Sequence, residues 1–127
     1  EARHGRLPSR GCVLLLTGFA ERYRPGTRPG PNNDYFDAAP GFTGDAVAWM
    51  FDERGIQVVG SDIFGPDPTS DEDFTATSVA LAKGGITVEN VGPGLARMRQ
   101  HGDWISINGP RPGVSGFQMG ITGFTAR

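Results

Sequence analysis

Two carboxylates stand directly after short apolar segments, at positions where a parallel β-sheet commonly binds ligands. Glu89 follows Ile86-Thr87-Val88, and Asp62 follows Val59-Gly60-Ser61. Ligands of open parallel sheets bind beyond the carboxyl ends of the strands. A charge at the end of a buried strand is costly unless something compensates it. A metal ion, another cation or a role in proton transfer would do so, which makes Glu89 the first candidate for chemistry. Asp62 is a candidate for binding the substrate.

Each carboxylate also has a structural interpretation that the residues alone leave open. Glu89 would then meet water, or an arginine such as Arg97, at the edge of the sheet. Asp62 would then be part of a turn, because a Ser-Asp pair after a strand is common in turns.

The histidines and the cysteine, which could also take part in chemistry, are better interpreted as structural residues. His4 and His101 are the two histidines, and neither has a second ligand at the spacing that zinc sites use, so both are predicted at the surface. Cys12 opens a predicted strand and is interpreted as an inert core thiol rather than a nucleophile. The chain lacks a Gly-x-Ser-x-Gly elbow.

Residues 23–41 are rich in proline, glycine and asparagine and show no periodicity. A connection of this length is often a lid or a binding loop. Tyr35 and Phe36 are therefore candidates for binding a substrate. The alternative is that these rings pin the loop to the body of the protein, since aromatic side chains gain most from burial.

The totals describe one ordinary globular domain. The chain has 127 residues, 37% of them hydrophobic and 20% charged, with a formal charge of −2. No basic block is present, so nucleic acid and anionic membranes are not expected partners. The longest apolar run, Val13 to Leu16, is far shorter than the roughly 20 residues that span a bilayer. With a single cysteine, these features favour a cytoplasmic protein.

Helices and strands alternate in the sequence. Thr43 can cap the start of a helix and Gly55 its end. A second helix is predicted from Ser70, with Asp73 completing a capping box and with Phe74 and Leu81 on its apolar face. Short connections between such elements indicate parallel pairing, and therefore an α/β fold. Strands are predicted at residues 12–17, 56–60, 86–88, 104–107 and 116–124.

Several strings, in this order, resemble a known family. They are Val13-Leu14-Leu15-Leu16-Thr17-Gly18, Tyr35-Phe36 leading into Pro40-Gly41-Phe42-Thr43, Ala46 to Trp49 with Glu53-Arg54-Gly55-Ile56, Val59-Gly60-Ser61-Asp62, and Gly85 to Val91. From about Gly11 onward the chain is similar to the C-terminal half of the cyclase family of metal-dependent hydrolases, which includes kynurenine formamidases and isatin hydrolases.

The resemblance implies a swivelling β/β/α fold with a mixed sheet. It also implies hydrolysis of a C–N bond in a small amide or lactam, with zinc or manganese activating water. The family's late glutamate falls on Glu89, which would bind the metal and take part in catalysis. A histidine of the family falls on Thr77, which is a poor zinc ligand. The family's His-x-Gly-Thr-His-x-Asp motif is absent from this sequence.

The resemblance further implies that the chain begins within a domain. Residues 1–10 would be a linker or the end of a helix, and residues 11–127 the C-terminal part of a cyclase-like domain. A second chain or an N-terminal fragment would then carry the histidine motif and cover the open sheet, giving an oligomer. The alternatives are a non-catalytic structural or binding subunit, which Thr77 favours, and a natural-product cyclase.

Overall fold

The computed structural model describes residues 1–23, 35, 38–109 and 116–125. A parallel sheet contains β1 (Cys12–Leu15), β2 (Val58–Ser61) and β3 (Ile86–Val88), in the order β1-β2-β3. A separate antiparallel pair contains β4 (Trp104–Asn108) and β5 (Gly120–Phe124). Two helices, α1 (Gly44–Arg54) and α2 (Thr75–Ala82), connect the parallel strands. The predicted α/β class and parallel βαβ units are confirmed, with parallel and antiparallel pairings in two different sheets.

Helix α1 begins and ends where its sequence predicts. The Thr43 hydroxyl accepts a hydrogen bond from the Ala46 backbone N–H at 3.2 Å, which satisfies one of the unpaired donors of the first turn. Gly55 ends the helix in the left-handed conformation, with φ 64°. The buried residues of α1 are Val47 and Met50, which lie three positions apart and therefore on one face of the helix.

Helix α2 begins at Thr75, five residues later than the predicted start at Ser70. Its cap comes from the preceding loop rather than from the residue next to the helix. The Asp71 carboxylate accepts from the Thr75 backbone N–H at 3.0 Å. Asp67, which is buried, accepts from the backbone N–H groups of Ala76 at 2.6 Å and Thr77 at 3.1 Å. Carboxylates at the positive end of a helix stabilise it. The predicted capping box of Ser70 and Asp73 was wrong, because Asp67 and Asp71 accept the hydrogen bonds of the first turn instead.

The predicted apolar face of α2 was also wrong. Phe74 and Leu81 are exposed, at 57% and 54% of their surface, whereas Ala76 and Ala80 are fully buried. The small alanine side chains let α2 pack closely on α1. The main core contains Val47, Met50, Ile56, Val59, Ala76 and Ala80.

The N-terminal part of the chain contains a turn and a partly buried cysteine. Residues 2–4 form a turn and residues 1–10 contain no helix. Burial raises the pKa of the Cys12 thiol to about 12, which leaves little reactive thiolate near neutral pH and agrees with an inert thiol. Among the described residues, no helix is long and apolar enough to span a membrane.

Candidate functional site

A cavity of about 440 Å³ lies at the carboxyl ends of β2 and β3. Asp62 follows β2 directly and Asn90 is the second residue after β3, so the cavity occupies the edge of the sheet where ligands were expected. Its described lining consists of Ala20, Tyr23, Tyr35, Asp62, Phe64, Asn90, Val91 and Gly92.

Tyr35 joins the segment before α1 to the turn after β3. Its hydroxyl donates a hydrogen bond to Asn90 Oδ1 at 2.5 Å. Its ring meets those of Tyr23 and Phe64 edge to face, with centroid distances of 5.4 and 5.7 Å. Tyr35 is 4% exposed and belongs to a second small core with Ala39 and Ile63. This ring therefore both anchors its segment and lines the cavity. Phe36, the other ring predicted to bind a substrate, lies outside the described residues.

The electrostatics around Tyr35 show which acidic groups are near the cavity. Burial raises the pKa of Tyr35, and its electrostatic interactions with Asp62, Tyr23 and Glu89 raise it further. The phenol therefore stays protonated and acts as a hydrogen-bond donor.

Replacing Tyr35 with phenylalanine should lower the free energy of unfolding by about 1 kcal/mol, because Asn90 Oδ1 loses its donor while the ring stays packed. Tyr35→Leu also removes ring contacts and should cost about 2 to 3 kcal/mol. Urea unfolding of the three proteins measures both differences. Equal stability of Tyr35→Phe and the wild type would contradict the role of the hydroxyl.

Asp62 links the ends of β1 and β2. Its Oδ1 accepts from the Thr17 backbone N–H at 2.8 Å and from the Thr17 hydroxyl at 2.6 Å. Its Oδ2 accepts from the Gly18 backbone N–H at 2.9 Å. Asp62 is 3% exposed, so its carboxylate is taken up by these donors and shapes the wall of the cavity. Its predicted contact with a substrate stays a prediction.

Glu89 directly follows β3 and is exposed. It does not line the cavity, although its neighbour Asn90 does. No described residue donates a hydrogen bond to its carboxylate, and the ion pairs of the described residues do not join it to Arg97. Partial desolvation raises the pKa of Glu89, and the negative charge of Asp67 raises it further. The negative charge of its ionised carboxylate is therefore not compensated by any hydrogen bond or ion pair from the described residues.

Glu89→Gln should make the metal-free protein more stable at neutral pH. Because the folded state disfavours the ionised carboxylate, wild-type stability should fall as the pH rises from 4.5, the ordinary pKa of glutamate, through the raised pKa of Glu89. Glutamine stays neutral and removes that fall, so the two proteins should be equally stable below this interval and diverge above it. Urea unfolding with a chelator, from pH 3 to pH 8 at roughly one-unit steps, measures the difference. A wild type that gains stability over the variant as the pH rises would contradict the expectation.

The described residues do not by themselves form a site for zinc or manganese. Across ranges 1–23, 38–109 and 116–125, no three His, Cys, Asp or Glu side chains are grouped to hold a metal. His101 Nε2 lies 3.1 Å from the Arg6 carbonyl oxygen, and the Thr77 hydroxyl donates to Asp67. Glu89 offers one carboxylate, whereas a catalytic zinc takes three protein ligands.

Two residues near the carboxyl ends of β2 and β3 were not predicted from the sequence. Asn90 lines the cavity in the left-handed conformation, with φ 50°. Asn is the residue type, after glycine, that most often adopts this conformation, so an Asn following a strand is a usable signal. Asp67 is buried and caps α2, but nothing local to its Pro-Asp-Pro string points to that contact.

These features define an α/β protein with a cavity at the carboxyl ends of parallel strands. A model of the family described as "Putative cyclase" matches residues 1–68, which is just over half of the chain. The chain belongs to this family, which confirms the family resemblance of its sequence. The matched residues include β1, α1, β2 and Asp62 and end before Glu89. No curated protein matches the chain.

Proposed function

We propose that this chain is part of a metal-dependent hydrolase that cleaves a C–N bond in a small amide or lactam. The histidine motif that binds zinc or manganese would be supplied by another chain or by an N-terminal fragment. Membership of the cyclase family supports this class of reaction. The observation that carries the proposal to this chain is the placement of Glu89.

Glu89 combines the features expected of a metal ligand or proton carrier. It stands at the end of β3, next to the cavity-lining Asn90, and no described residue donates a hydrogen bond to it. Desolvation and the charge of Asp67 raise the pKa of Glu89, and a raised pKa is expected of a carboxylate that binds a cation or transfers a proton. An incoming metal ion would compensate its charge.

The surface of the parallel sheet supports the need for a partner. In the order β1-β2-β3, both β1 and β3 are edge strands within the described chain. Leu16, after β1, and Ile86, in β3, are 52% and 50% exposed. Open edges with apolar side chains favour pairing with another segment. That segment would also bring the ligands that the described residues lack.

Native mass spectrometry with metal analysis, followed by a hydrolysis assay, tests the proposal. The expected result is a complex heavier than the 13.5 kDa chain that contains zinc or manganese and hydrolyses formanilide. Glu89→Gln should reduce the hydrolysis rate by about 100-fold or more, in the range of losses for a transition-state contact. Glu72→Gln removes the same charge away from the cavity and serves as the control. A folded, metal-free monomer without activity would overturn the proposal.

Thr77 favours a second candidate, a non-catalytic subunit with the same fold. Its hydroxyl donates to the buried Asp67, so the residue in the family's histidine position is committed to holding α2. Under this alternative, native mass spectrometry would still detect the complex with a partner, but the complex would contain no metal and would not hydrolyse formanilide.

A further inference from the structure

Asn90 is held rigidly at the end of the sheet. Its backbone N–H donates to the Ile63 carbonyl oxygen at 2.6 Å. The next residue, Val91, donates to the Ser61 carbonyl oxygen at 3.0 Å. These bonds fasten the turn after β3 onto the end of β2. With φ 50°, Asn90 adopts a conformation that asparagine tolerates better than most residues do. Its position beside the cavity is therefore set by the backbone.

The side chain of Asn90 is oriented by a hydrogen bond from Tyr35. Its Oδ1 accepts from the hydroxyl of the buried Tyr35 at 2.5 Å. A carboxamide has its donor nitrogen on the other side of the same carbon, so Nδ2 points away from Tyr35. No described residue accepts a hydrogen bond from Nδ2. Asn90 is exposed and lines the cavity, which leaves two N–H donors accessible to a ligand.

We infer that the Asn90 side-chain amide binds the carbonyl oxygen of a ligand in this cavity, and that Tyr35 is the positioning residue for that amide. Two N–H donors suit a carbonyl or a carboxylate oxygen. Two carboxylates lie near this amide: that of Asp62 in the cavity wall and that of Glu89, the residue directly before Asn90. Their negative charges repel an anionic ligand and favour a neutral carbonyl compound. The ligand class, an amide or lactam, rests on the proposed function; the donor itself does not.

Binding of 2-oxindole, a neutral lactam, tests this inference without any reaction. The ¹⁵N-labelled protein, with any partner that co-purifies, is titrated with 2-oxindole and separately with indoline, which has the same rings without the carbonyl. We expect a saturable shift of the Asn90 side-chain amide signals with 2-oxindole and none with indoline. Equal shifts with both compounds, or no shift with 2-oxindole, would overturn the inference.

Two variants sharpen the test. Asn90→Asp keeps an acceptor for Tyr35 and tolerates the same backbone conformation but replaces the amide donor with a carboxylate. It should bind 2-oxindole about 10-fold more weakly, because a hydrogen bond is lost and the new carboxylate repels the carbonyl oxygen of the ligand. Asn108→Asp, whose parent amide donates to Ser106 Oγ at 2.8 Å in β4, should bind like the wild type.

The tests separate this inference from the proposed function. Saturable binding that depends on Asn90, in a protein that fails to hydrolyse formanilide, would overturn the hydrolase and leave the amide-binding role intact. Hydrolysis that is unchanged in Asn90→Asp, together with unchanged 2-oxindole affinity, would overturn the inference and leave the hydrolase intact. If Asn90→Asp does not fold, the comparison of 2-oxindole with indoline on the wild type still decides.

Discussion

Gly60→Ala is expected to lower the free energy of unfolding by more than about 3 kcal/mol, which is a large part of the stability of a small domain. Gly60 lies in β2, between the two other strands of the parallel sheet, and pairs with Val88 of β3. A Cβ atom there would come within 2.2 Å of the Val88 carbonyl oxygen and 2.9 Å of the Val88 Cβ. Relief requires β3 to move away from β2.

The displacement would also reach the candidate site, because Glu89 and Asn90 follow Val88 directly. Urea unfolding measures the loss of stability. Gly92→Ala is the matched control, since a Cβ on Gly92 meets nothing within 4 Å and its φ of −61° suits alanine. Its stability should stay within about 0.5 kcal/mol of the wild type. The prediction fails if the two alanine variants are equally stable.

Asp62→Ala should cost about 3 to 5 kcal/mol, because it removes a buried carboxylate that accepts three hydrogen bonds. The backbone N–H groups of Thr17 and Gly18 would lose their acceptor at the end of β1. Gly18 adopts the left-handed conformation, with φ 77°, which glycine reaches without strain, so the loss of stability comes from the hydrogen bonds. The wall of the cavity near Ala20 should loosen as a result.

Asp62→Asn is the informative intermediate. Its oxygen can still accept from Thr17, but its amide nitrogen would face the Gly18 N–H, and two donors repel. We expect a loss of about 2 kcal/mol, between the wild type and Asp62→Ala. Asp73→Ala, an exposed aspartate whose side chain makes none of these contacts, should change stability by less than about 0.5 kcal/mol. Thermal or urea unfolding ranks the four proteins, and a loss in Asp73→Ala that matches Asp62→Ala would contradict the expectation.

Local sequence signals were sufficient where an element is stabilised by its own neighbours. Thr43 and Gly55 bound α1 because a helix cap involves residues three or four positions apart. The βαβ order and the place of Glu89 after β3 followed from short apolar segments and the turns between them. The start of α2 could not be read in this way, because Asp67 caps it from nine residues before Ala76.

The α/β class, the boundaries of α1 and the position of a carboxylate after β3 could all be predicted from the sequence, since periodicity, capping and turn preferences depend on residues close together in the chain. The cavity beside that carboxylate depends instead on contacts between distant residues. Asp62 reaches Thr17 across 45 residues, and Tyr35 reaches Asn90 across 55 residues. No spacing rule encodes such contacts, because they exist only after the strands have paired and brought their ends together.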